Sequence, residues 1–160
     1  ITEQLGEFSL IFWYNCKMRR IMRKKENQIA MEFVSDLRFT EFCVLVFSFI
    51  KKVLNIGDDN FFQVELSLRE VINNAIIHGN KSDPHKRVYV TFKWNKKRLS
   101  LIIRDENTEK VDFSEINKRL ESNDLLAYNG RGIMIMKSYM DKVKFLSSGH
   151  GTEIVMEKYL

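Results

Sequence analysis

The sequence predicts an α+β domain, a two-layer sandwich in which a mixed, mostly antiparallel sheet is covered on one face by about three helices. Three observations carry this. Residues 40–54, 61–78 and 133–140 repeat apolar side chains at helical spacing. Residues 87–94 and 98–104 alternate as strands separated only by Asn95-Lys96-Lys97, the pattern of an antiparallel hairpin. A second alternating pair, 143–147 and 152–157, is joined through Ser148-Gly149-His150-Gly151. Helices with one apolar arc each and strands that pair locally need a shared core, and layering supplies it.

Taken in order, residues 28–34 alternate weakly and read as an edge strand. Asp36 or Thr40 is available to cap the helix over 40–54. Gly57-Asp58-Asp59-Asn60 forms a turn that caps the helix over 61–78, and Lys81-Ser82-Asp83-Pro84 forms a loop. Residues 112–122 read as a short helix and 123–129 as a loop. There is no internal repeat and no low-complexity tract.

With 160 residues and 44% hydrophobic content, the chain can bury a full core without disulfides or metals. The two cysteines, Cys16 and Cys43, stand far apart without partners at metal-ligand spacing, which favours two ordinary intracellular thiols. No run approaches the roughly 20 apolar residues of a membrane helix. Residues 8–14 are apolar but short, and they lack the basic start and cleavage site of a signal peptide. These features predict a cytoplasmic protein without a membrane partner.

The net charge of +5 belongs to one end of the chain. Lys17, Arg19, Arg20, Arg23, Lys24 and Lys25 face only Glu3 and Glu7 in the first 25 residues, so residues 26–160 carry a net of +1. Residues 1–25 read either as a basic N-terminal extension or as a partly vector-derived segment, because the chain starts at Ile1 while Met18 and Met22 stand close to the domain. The domain is expected over 26–160. The basic run reads as a solvated arm rather than a nucleic-acid site.

Residues 70–80 read Glu-Val-Ile-Asn-Asn-Ala-Ile-Ile-His-Gly-Asn. At about 100° per residue, Glu70, Asn74 and His78 share one arc, and Leu68, Val71, Ile72, Ala75 and Ile76 the opposite one. A carboxylate and an amide oxygen one turn apart suit a hard cation such as Mg²⁺ that also takes phosphate oxygens. A solvated surface helix has the same pattern, so this helix alone leaves both readings open. Downstream, residues 98–104 deliver Asp105 at a strand end. Gly130-Arg131-Gly132 opens the run Ile133-Met134-Ile135-Met136, and Gly149-His150-Gly151-Thr152 follows.

In these blocks, in order and spacing, residues 26–160 resemble the anti-sigma factor serine kinases of bacterial partner-switching systems. Glu70-x-x-x-Asn74-Ala75-x-x-His78-Gly79 carries the most specific part of the likeness. The wider superfamily includes gyrase, heat-shock protein 90, histidine kinases and mismatch-repair ATPases. The resemblance implies the histidine-kinase-like ATPase fold, with ATP and Mg²⁺ as cofactors. It implies Asn74 as metal ligand, Glu70 as general base, and Asp105 as acceptor of the adenine amino hydrogen with Thr152 in support. His78, Asn107, Gly130, Arg131 and Gly132 complete the expected nucleotide site. The implied partners are a STAS-type anti-anti-sigma protein, phosphorylated on serine, and a sigma factor, with a homodimer as the implied assembly. No direct nucleic-acid contact is expected.

One departure matters. The family follows its aspartate as Asp-x-Gly-x-Gly, whereas this chain has Asp105-Glu106-Asn107-Thr108-Glu109. Asn107 can take the left-handed conformation almost as glycine does; Glu109 cannot do so cheaply. Glu106 and Glu109 add negative charge near a site meant for polyphosphate. Two readings therefore stand: an ATP-dependent protein serine/threonine kinase, and a non-catalytic adaptor of the same fold with weak or no ATP binding. The ATPase module of a histidine kinase is disfavoured, because His78, His85 and His150 all lie inside the domain.

Overall fold

A computed structural model describes residues 16–23, 26–109 and 131–160. The elements run β1 (Cys16–Arg23), β2 (Glu26–Val34), α1 (Arg38–Leu54), α2 (Asp58–Asn74), β3 (Arg87–Trp94), β4 (Arg98–Arg104), α3 (Arg131–Tyr139), β5 (Lys142–Ser148) and β6 (Gly151–Tyr159). The strands form one sheet in the order β1-β2-β3-β4-β6-β5. All five pairings are antiparallel, so among the described residues the sheet is antiparallel rather than mixed.

Register explains the core. Ile29, Phe92, Leu101 and Met156 stand opposite one another across four strands, and Met31, Val90, Ile103 and Ile154 form the next row. The period-2 alternation puts these rows on one face. There they share a single core with Phe39, Cys43 and Phe47 of α1, Val64, Leu68, Val71 and Ile72 of α2, and Ile133 and Met136 of α3. The fully buried Phe33, Phe47 and Phe92 each contribute about 1.5–3 kcal/mol by leaving water.

The expected architecture is present, with local differences. Each of the three helices starts two or three residues early. Leu37, not Asp36 or Thr40, is the cap residue of α1, and no side-chain cap bond is made there. Asp36 Oδ1 instead accepts from Arg38 N, while the Thr40 hydroxyl donates to Asn73 Oδ1 at 2.9 Å and ties α1 to α2. α2 begins at Asp58 behind Gly57, with Asp58 and Asp59 complementing the helix dipole in its first turn. β2 lies inside the sheet, because β1 pairs along it over residues 16–23 and 26–33. β1 thus falls in the segment read as a basic extension. The helix expected over 112–122 and the loop over 123–129 lie outside the described residues. Among the described residues, no helix is long and apolar enough to cross a membrane.

Candidate functional site

The site is built where α2, α3 and the ends of β4 and β6 meet. Leu68, Val71 and Ile72 are fully buried, while Glu70 and Asn74 sit half-buried on the other arc. Beyond Asn74 the helix widens into a π turn over Ala75–Gly79. The 100° spacing therefore holds for Glu70 and Asn74 but not through His78, which is exposed on the π turn. Such turns interrupt α-helices most often at functional positions.

Gly132, in the first turn of α3, packs onto this arc. A Cβ there would lie 2.9 Å from Glu70 Oε2 and 3.0 Å from Asn74 Nδ2. The polar ends of Glu70 and Asn74 thus converge on one backbone position at the start of a helix, where N–H groups lack intrahelical partners. Arg131, the residue before, is exposed. Gly130 lies outside the described residues.

Asp105 forms the second half of the site. Its carboxylate is buried, and Oδ1 accepts from Asn107 N at 2.9 Å and Thr152 N at 2.8 Å. Asp105 N donates back to Thr152 O at 3.0 Å, which closes a reciprocal clamp between β4 and β6. Desolvation raises the Asp105 pKa above its ordinary value, while the two backbone N–H groups and the charges of Lys86 and Arg104 pull against it. Two glycines make the packing feasible. A Cβ on Gly79 would stand 2.1 Å from Asp105 Oδ2, and one on Gly151 2.2 Å from Asp105 O. Gly151 also has φ 141°, a conformation that side chains rarely adopt. The Thr152 hydroxyl is buried without a hydrogen-bond partner.

The glycine-poor segment after Asp105 is held by its own side chains. Asn107 does not use the left-handed conformation: the positive-φ residues other than glycine, among those described, are Asn55, Lys81 and Ser82. Asn107 instead makes a side-chain turn, its Oδ1 accepting from Glu109 N at 3.0 Å. The Glu106 carboxylate accepts from Arg87 N at 2.8 Å and from the Tyr89 hydroxyl at 2.7 Å. Glu109 pairs with Lys81 at 2.6 Å. Both negative charges that the sequence placed near the site have partners outside it.

Residues 41–158 match the family profile of the histidine kinase-like ATPase domain. The chain belongs to this family. The match spans every candidate site residue from Glu70 to Thr152. Among its curated relatives is the anti-sigma F factor of Oceanobacillus iheyensis, 30% identical over 138 residues, which cover 84% of this chain and 94% of the relative. The anti-sigma F factor of Bacillus subtilis is 30% identical over the same shares of both chains. That of Shouchella clausii is 34% identical over 100 residues, 61% of this chain and 68% of the relative.

An ATPase domain requires a nucleotide site, and the residues here fit one. A buried acceptor, a buried hydroxyl without a partner and glycines that admit close backbone approach are compatible with a bound nucleotide. Within this histidine kinase-like domain, sequence reasoning missed Asn80, Gly79 as the neighbour of Asp105, and Tyr89. The partners that tie them to the Asp105 segment and to β2, namely Ser35 and Glu106 for Asn80, Asp105 for Gly79 and Glu106 for Tyr89, lie 17 to 45 residues away along the chain, so no local spacing marks those ties. The His-Gly-Asn tripeptide at the helix end is the one visible signal.

Proposed function

We propose that this chain is an ATP-binding anti-sigma regulatory factor that phosphorylates a serine on an anti-anti-sigma partner and sequesters a sigma factor. The observation that carries this reading is the convergence of Glu70 and Asn74 on Gly132, on the same helix end whose Gly79 abuts Asp105. It sets a proton acceptor and a side-chain amide on one helix, with the base acceptor at the end of β4 packed against the π turn that follows. Phosphoryl transfer asks mainly for such positioning.

In this reading Asp105 accepts the adenine amino hydrogen, and the Thr152 hydroxyl finds its missing partner beside it. Asn74 would hold Mg²⁺ through its amide oxygen. The γ-phosphoryl group would pass from ATP to the serine oxygen with ADP as the leaving group, and a bound Mg²⁺ would supply charge neutralisation. Glu70 takes the proton from the attacking serine hydroxyl. Arg131 and the N–H groups at the start of α3 are the proposed phosphate contacts, and His78 is exposed on the π turn. The relatives' name supports the sigma-factor partner, and the pairing of Glu106 and Glu109 outside the site supports ATP binding over a purely adaptor role.

Calorimetric titration with Mg-ATP tests the site. The parent binds; Asn74→Ala loses the Mg²⁺ dependence, and Asp105→Asn binds ATP more weakly because an amide can present a donor where only an acceptor fits. Equal binding by all three proteins would overturn the assignment, and no binding by the parent would leave the adaptor reading.

A further inference from the structure

One fully buried carboxamide joins four parts of the chain beside the site. Asn80 Nδ2 donates to Ser35 Oγ at 2.6 Å, just past β2, and to Arg87 O at 2.8 Å, where β3 begins. Its Oδ1 accepts from Glu106 N at 2.8 Å, and its own N–H donates to Ala75 O at 2.8 Å, closing the π turn. The partners dictate the orientation of the amide: Arg87 C=O only accepts, and Glu106 N–H only donates.

This places a brace on the peptide that follows Asp105. Asn80 holds the Glu106 N–H from the helix side, while Arg87 N and Tyr89 OH hold the Glu106 carboxylate. Asp105 N is held by Thr152 O on the strand side. The aspartate is thus secured in front and behind, and Gly79, the neighbour of Asn80, leaves the room its Oδ2 occupies.

We propose that Asn80 is a positioning residue for nucleotide selection: its hold on Glu106 N–H keeps Asp105 aimed as an acceptor, and this excludes 6-oxo purines. The inference rests on the reading of Asp105 as the base acceptor. The physical reason is that a buried carboxylate rejects a ligand oxygen only while it cannot turn away. A fixed acceptor facing another acceptor leaves both unsatisfied, whereas a mobile one swings aside or admits water.

The test is calorimetry with Mg-ATP and with Mg-inosine triphosphate, which carries an oxygen in place of the amino group, alongside thermal melts. Four proteins are compared: the parent, Asn80→Ala, Asn80→Ser and Ser35→Ala. The parent prefers ATP. Both Asn80 variants lower the ATP-to-inosine-triphosphate ratio by about tenfold, the worth of one well-made hydrogen bond, as the released carboxylate binds ATP less well and no longer rejects inosine triphosphate. Ser35→Ala leaves the ratio at the parent value, because the Glu106 tie is intact. A merely structural role would weaken both nucleotides alike and leave the ratio unmoved. Folded Asn80 variants with the parent ratio overturn the proposal, as does loss of folding in both. A parent that does not discriminate the two nucleotides overturns the reading of Asp105 itself.

Discussion

Gly79 and Asp105 touch so closely that a methyl group on residue 79 would lie 2.1 Å from Oδ2 of the aspartate and 2.6 Å from its Cγ. The π turn after α2 and the end of β4 therefore meet through a glycine and a buried carboxylate. Gly79→Ala cannot be absorbed by a side-chain shift alone, because Asp105 is held by Thr152 N and Asn107 N. It is expected to cost about 1–3 kcal/mol, as overpacking does, and to weaken ATP binding together with stability. Thermal melts and calorimetry on the same preparation check both.

Asp105 carries a cost that its proposed role in adenine binding would explain. Its pKa is raised by burial, so the folded protein keeps this proton to higher pH than the unfolded chain does. The unfolded state then binds fewer protons in the interval just above the ordinary aspartate range, and stability falls as pH rises through it. Asp105→Asn removes the charge. The variant should melt above the parent at neutral pH, and the difference should shrink as acid protonates Asp105, while ATP binding falls. Melting curves of both proteins across acid to neutral pH decide it; an unchanging difference would contradict the assignment.

Gly132 meets only the far ends of Glu70 and Asn74. Gly132→Ala should therefore fold, with a stability change of about 1 kcal/mol or less. It must displace the two polar groups, and misplacing a reacting group by about 1 Å costs up to roughly 10²-fold. Single-turnover phosphoryl transfer should slow at least tenfold, on the order expected for such a shift. An unchanged rate would remove Glu70 and Asn74 from the reacting centre.

The parts legible in the sequence are those with local causes. β3 and β4 appear at their expected bounds because alternation and a short turn define both. The buried arc Leu68, Val71, Ile72, Ala75 and Ile76 is the one that helical spacing marked. What was hidden depends on distant contacts. The π turn keeps the same apolar residues buried, so periodicity does not reveal it. β1 sits in a run whose charges masked its pairing with β2. Glu106 read as a liability because its partners, Arg87 and Tyr89, come from a different strand. Asn107 substitutes for glycine through its side chain rather than through φ, which its residue type alone leaves undecided.

The proposed activity is phosphoryl transfer from ATP to a partner serine, with Glu70 as base. Intact-mass analysis of an anti-anti-sigma protein, incubated with Mg-ATP and either the parent or Glu70→Gln, tests it most directly. The parent should add one phosphate, which brings roughly −1.5 to −2 charge to the partner. Glu70→Gln should bind ATP and partner normally yet transfer about 10²–10⁴-fold more slowly, the usual cost of losing a general base. A partner whose mass does not change with the parent, despite demonstrated ATP binding, would contradict the account.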